Sequence, residues 1–135
     1  MTSLPLKLFL MLAGLTGLGL GSAILLAPVG FYAGYGLDLG GQVTLLNEMR
    51  SHGLSLLAAG LFIGAGAFVP RLATTAVLVA GVVYLSYGLS RLVALAFDGH
   101  PGDGLLLAMA VELAIGAIAA LIYVSRSNRS TLTTA

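Results

Sequence analysis

Polar side chains fall along this chain in a few turn-forming clusters, and between them lie four long apolar runs. The first covers residues 4–27 and is broken only by Pro5, Lys7, Thr16 and Ser22; the others cover 42–69, 73–97 and 105–124. About 20 apolar residues carry a helix across the hydrocarbon of a bilayer, so each run predicts one membrane-spanning helix. Pro28 and Gly30 close the first run, Asp38-Leu39-Gly40-Gly41 is a turn before the second, and Pro70-Arg71 closes the second. Asp98-Gly99-His100-Pro101-Gly102-Asp103-Gly104 is built almost wholly from turn residues and separates the last two, with His100 as an exposed loop histidine. Phe31-Tyr32-Ala33-Gly34-Tyr35-Gly36 mixes aromatics with flexible residues, which places Tyr32 and Tyr35 at headgroup depth. Residues 125–135 are polar and read as a frayed tail. The short connections make successive helices antiparallel neighbours. The expected fold is all-α, a single-domain integral membrane four-helix up-and-down bundle.

Lys7 followed by an apolar region and the small-x-small pattern Gly21-Ser22-Ala23 also fit a signal peptide. The apolar run continues past that pattern, which favours a retained helix. Gly17 and Gly21, like Gly60 and Gly64, form GxxxG pairs that would let another helix come close, although membrane helices are rich in glycine in any case.

Composition agrees with the pattern. Of the 135 residues 59% are hydrophobic and 8% charged, with a mean hydropathy of +1.05. A soluble domain carries about a quarter of its residues as charges, so this chain must turn its outer surface to lipid. A net charge of +1 with singly scattered basic residues excludes a nucleic-acid partner. The absence of cysteine removes disulfides, thiolate nucleophiles and Cys-ligated metals, and no cofactor is expected.

The remaining charges orient the bundle. Lys7, Arg71, Arg126 and Arg129 all fall on one side if the spans alternate, whereas the opposite connections hold Asp38, Asp98 and Asp103 and no Lys or Arg. The positive-inside rule then puts both termini in the cytoplasm, which also argues against use of the glycosylation sequon Asn128-Arg129-Ser130.

Ionisable groups inside the spans are the candidate chemistry. Counted from Gly41, Phe97 and Leu105, Glu48, Arg91 and Glu112 all lie roughly 10 Å below the loop-side boundary at 1.5 Å per residue. Arg50 and His52 follow somewhat deeper. Glu48 and His52 share a face by the i,i+4 rule with Ser51 and Ser55 beside them, while Arg50 points elsewhere. A charge at this depth costs about 2.5–3.5 kcal/mol on insertion scales, so Glu48, Arg50, Arg91 and Glu112 are expected to face inward and pair. Tyr84, Tyr87 and Arg91, at i, i+3 and i+7, form a stripe that completes the network or lines a cavity. Two readings stand. The four charges form closed ion pairs that only fix helix packing, or they form a polar pocket that holds a ligand, with His52 placed to titrate near neutrality. Glu48, His52 and Glu112 also offer a nitrogen and two carboxylates for a metal, but Arg91 opposes a cation there and no HExxH pattern occurs, so no metal is expected.

Asn47-Glu48-Met49-Arg50 with Gly53, Gly88 to Arg91, Glu112 and the Ala27-Pro28 close of the first span resemble a bacterial membrane family known as a domain of unknown function, DUF4345. The likeness extends over about residues 8–123, and Asn-Glu-x-Arg is its most specific part. This chain has Ser51-His52 where the family leads one to expect a small residue and an aromatic such as Tyr. The resemblance implies four membrane helices and no assigned activity; the expected location is the bacterial inner membrane.

Three functions compete. The first is a pocket formed by Asn47, Glu48, Arg50, His52, Tyr84, Tyr87, Arg91 and Glu112 that binds, or helps to move, a small polar or amphipathic ligand or lipid. The second is an accessory subunit of a larger membrane complex or homo-oligomer, using the GxxxG faces. The third, an enzyme acting on lipid, lacks a recognisable nucleophile-base pair. Orientation is directly testable: a Cys introduced at Gly102 should react with an impermeant thiol reagent in intact cells, and one at Ser130 only after permeabilisation. The reverse pattern would invert the topology.

Overall fold

The computed structural model describes residues 3–133, with side chains described for 3–127. Its four long helices are α1 (Leu4–Leu26), α3 (Val43–Phe68), α4 (Ala73–Asp98) and α5 (Asp103–Thr133), with a short α2 (Pro28–Ala33) after α1. No strand occurs among the described residues. Each long helix has the length and hydropathy to cross a membrane. Large apolar side chains such as Val43, Leu61, Phe97 and Leu121 are mostly exposed, an outside that suits lipid and would be costly in water.

Proline and glycine set the boundaries. Pro28 stands where a continuing α1 would need an N–H for the Ile24 carbonyl, so α1 ends and α2 restarts with its proline in the first turn. Gly99, at φ 91°, terminates α4 in a conformation that a side chain resists, and His100 Nδ1 accepts the Gly102 N–H at 3.1 Å to hold the tight loop. Asp103 then opens α5, its carboxylate near the positive end of the helix. A 3₁₀ turn at Pro70–Leu72 joins α3 directly to α4.

Successive long helices run antiparallel, as the short connections require. α1 packs closely on α3, α3 on α4 and α4 on α5, whereas α1 and α5 barely meet. The bundle is therefore open along one seam. A core of Leu6, Leu10, Ile63, Val77, Ala80 and Tyr84 draws on α1, α3 and α4, and Ala119 of α5 joins it. Two boundaries differ from the sequence reading. The segment read as a belt contains a helical turn, α2, and α5 continues through Thr133 instead of fraying after Val124. The side chains of the Asn128-Arg129-Ser130 sequon lie outside the described residues.

The two GxxxG motifs are turned toward each other. A Cβ added to Gly17 would lie 2.9 Å from the Gly60 Cα, one added to Gly14 2.7 Å from the Gly64 Cα, and one added to Gly53 2.6 Å from the Leu25 N. The α1 and α3 backbones touch, and a Cβ at Gly14, Gly17, Gly21, Gly53 or Gly60 would force them apart, whereas one at Gly64 would meet the Gly14 Cα at 4.0 Å, an ordinary contact. These faces are consumed inside the chain, which corrects their expected use as a surface for a partner. The interface predicts a contrast. Gly60→Ala should destabilise the protein by about 1–3 kcal/mol through overpacking, whereas Gly19→Ala, with nothing within 4 Å of the added carbon, should be neutral or slightly stabilising. Thermal melting in detergent measures both.

Candidate functional site

Arg91 on α4 and Glu112 on α5 form the one ion pair among the described residues. Gly88 and Gly116 allow it. A Cβ on Gly88 would lie 2.7 Å from the Leu113 side chain, and one on Gly116 2.7 Å from that of Leu85, so α4 and α5 approach closely in the turns just below the pair, away from the connecting loop. Arg91 donates from Nε to Glu112 Oε2 at 2.7 Å and from Nη2 to Oε1 at 3.1 Å. This two-pronged geometry matches the planar guanidinium to the planar carboxylate. Both residues lie roughly 10 Å or a little more inside the loop-side ends of their helices, at 1.5 Å per residue.

The pair forms one wall of a cavity of about 260 Å³. His52 of α3 and Tyr84 and Tyr87 of α4 also line it, so the Tyr84, Tyr87, Arg91 stripe faces a common space. Tyr87 Oη and His52 Nδ1 are 3.2 Å apart, and their rings meet edge to face with centroids at 5.1 Å. Tyr84 is almost fully buried and donates its hydroxyl to the Ala13 carbonyl of α1 at 2.5 Å, fastening α4 to α1 beneath the cavity. The deeper wall is apolar, from Leu20, Ile24 and Leu56.

The roof is a feature that sequence reasoning missed. Phe31, Tyr32 and Tyr35 line the cavity instead of belonging only to a headgroup belt. The chain after α2 crosses toward α5, where the Tyr35 ring packs on Gly104 closely enough that an added Cβ would sit 3.1 Å from it. Phe31 makes ring contacts with both tyrosines, and buried Leu39 anchors the loop that follows. Burial raises the Tyr32 phenol above its ordinary pKa, with the nearby positive charge of Arg91 opposing the shift. The available signal was Tyr32 and Tyr35 spaced i, i+3 directly after a helix-breaking Pro28, which puts two phenols on one side of a returning turn.

Three expected members lie elsewhere. Glu48 is exposed near the start of α3 and joins no ion pair among the described residues, and Asn47 is exposed beside it, its carbonyl accepting the Ser51 hydroxyl. Arg50 reaches α1 and donates from Nη1 to the Leu25 carbonyl. That carbonyl belongs to the last turn of α1, where acceptors lack partners in their own helix and a cation is favoured. The expected network of two acids and two arginines is thus one ion pair and one helix cap. Depth alone suggested the larger network, whereas azimuth separates its members: Arg50 faces α1, and Glu48 stays on the outer surface. Ser51 and Ser55 bond back to the carbonyls of Asn47 and Ser51, respectively, and do not join His52. Among the described residues, no group of three His, Asp or Glu side chains is placed to hold a metal ion.

Residues 5–123 match the family described as Domain of unknown function (DUF4345). The chain belongs to this family. No curated protein and no solved structure matches it. The segments of the DUF4345 resemblance meet in pairs: Arg50 caps the helix that Ala27-Pro28 closes, Gly53 packs on the α1 backbone, and Gly88 and Arg91 contact Leu113 and Glu112.

The pair predicts asymmetric mutational effects. Glu112→Gln should lower stability by about 1–3 kcal/mol, less than for a fully buried pair because Arg91 is partly exposed. Adding Arg91→Met should recover much of that loss, since no charge then remains in the wall. Melting of the single and double variants in the same detergent provides the comparison.

Proposed function

We propose that this membrane protein binds a small polar or amphipathic ligand in the cavity enclosed by all four long helices and α2. The observation carrying this reading is the uneven exposure of the ion pair, with the Arg91 side chain 31% accessible and that of Glu112 11%. A pair serving only to lock packing has no need to leave its cation open to a cavity while its anion is covered. Here Glu112 holds Arg91 from behind, and the guanidinium, which has five N–H donors and spends two on the carboxylate, presents part of its edge to the cavity. Tyr32, Tyr35, Tyr87 and His52 add further polar groups, whereas Leu20, Ile24 and Leu56 suit an apolar portion. Such a site, mostly apolar with a few convergent polar groups, is the usual form of a small-molecule pocket.

In this reading the protein lies in the bacterial inner membrane with both termini in the cytoplasm and the cavity in the outer half of the bilayer. The accessory-subunit reading loses its main sequence support, because the glycine faces are occupied within the chain. The test uses the stable double variant. Arg91→Met with Glu112→Gln should melt close to the wild type yet fail to complement a deletion strain, because the recognising groups are gone. A stable double variant that still complements would leave only the packing role.

A further inference from the structure

The bundle carries a second, larger recess at the opposite end from the cavity. Where α1 and α5 fail to pack, a groove of about 1000 Å³ opens between the first turns of α1 and the later turns of α5. Its walls are apolar, formed by Leu6, Phe9, Ile118, Leu121 and Ile122. Its rim is polar, with Ser3, Thr74, Ser125 and Arg126. This space could hold on the order of thirty waters by volume, but ordered water requires polar partners that these walls do not offer. In a bilayer the natural filling is hydrocarbon.

The rim selects the headgroup. Arg126 directs Nε and Nη2 to the Thr74 hydroxyl at 3.3 Å each, long contacts to a single neutral oxygen. No acid neutralises its charge among the described residues. Exposed Lys7 and Arg71 share this end, whereas all five acids, Asp38, Glu48, Asp98, Asp103 and Glu112, lie in the other half of the bundle. We infer that the groove between α1 and α5 is a site for one anionic phospholipid, with an acyl chain against Phe9 and Ile122 and the phosphate on Arg126. The guanidinium fork fits phosphate oxygens in the way it fits a carboxylate. A second copy of the chain is a poorer occupant, because in the same membrane it would bring its own Lys7, Arg71 and Arg126 to the same level.

Native mass spectrometry of the purified protein, with phosphatidylglycerol, phosphatidylcholine or glycerol 3-phosphate added in turn, tests this. The wild type should retain one phosphatidylglycerol in preference to phosphatidylcholine and should not retain glycerol phosphate. Arg126→Gln should reduce that preference by about fivefold, the effect of one basic residue at an anionic surface. Leu121→Trp, at an exposed position in the groove wall, should reduce retention of either lipid. Both variants should melt like the wild type in lipid-free detergent, which separates lost binding from lost folding. Equal retention of the two lipids by the wild type would overturn the site, as would an unchanged preference in Arg126→Gln. Binding of glycerol phosphate alone would make it a free-anion site, and a lipid-free dimer split by Leu121→Trp would make the groove a contact between copies.

Discussion

Backbone contact between α1 and α3 is the constraint on which the rest of the structure depends. Lipid tails are as apolar as leucine, so burial from water does little to hold two membrane helices together, and close van der Waals packing must do it. Gly14, Gly17 and Gly21 on one helix, with Gly53 and Gly60 on the other, remove the side chains that would keep the axes apart. Arg50 then reaches the last turn of α1, and Gly53 fits beneath it against the α1 backbone. Pro28 ends α1 beside that contact, and so sets where α2 turns back and where its tyrosines come to rest.

The α4–α5 pair is assembled on different terms. Small residues are present at Gly81, Gly88 and Gly116, but the approach is mostly to side chains such as Leu85 and Leu113, and a charged bond crosses the interface. Tyr84 supplies one link between the two halves through a hydroxyl donated to an α1 carbonyl, and Tyr87 a second through its contact with His52 of α3. A space remains where these two modes of packing meet. Above Tyr84 the wall formed by α3 and α1 diverges from that formed by α4 and α5, and α2 covers the gap.

Much of this was legible in the sequence because bilayer thickness and turn chemistry act locally. Pro28, Pro70 and the Gly99–Gly102 loop marked the ends of the helices, and the depth count brought Arg91 and Glu112 to one level. The same count also placed Glu48 and Arg50 in the cluster, wrongly, because it carries no information about which neighbour a helix face meets. That information depended on α1 lying against the face of α3 that contains Gly53 and Gly60. Tyr32 and Tyr35 were hidden for a related reason: an aromatic at a helix end looks the same whether it faces headgroups or folds over a cavity.

The ion pair also bears on how the protein is made. α4 emerges from the ribosome before α5, so during synthesis Arg91 reaches the membrane while Glu112 is still unmade. Leaving that arginine alone in hydrocarbon costs about 2.5–3.5 kcal/mol on translocon scales, a penalty that disappears once the next helix brings its carboxylate alongside. Only the tight loop between Asp98 and Asp103 separates the two. The physics favours α4 and α5 entering the bilayer as one hairpin, with the charges already joined when they leave the translocon.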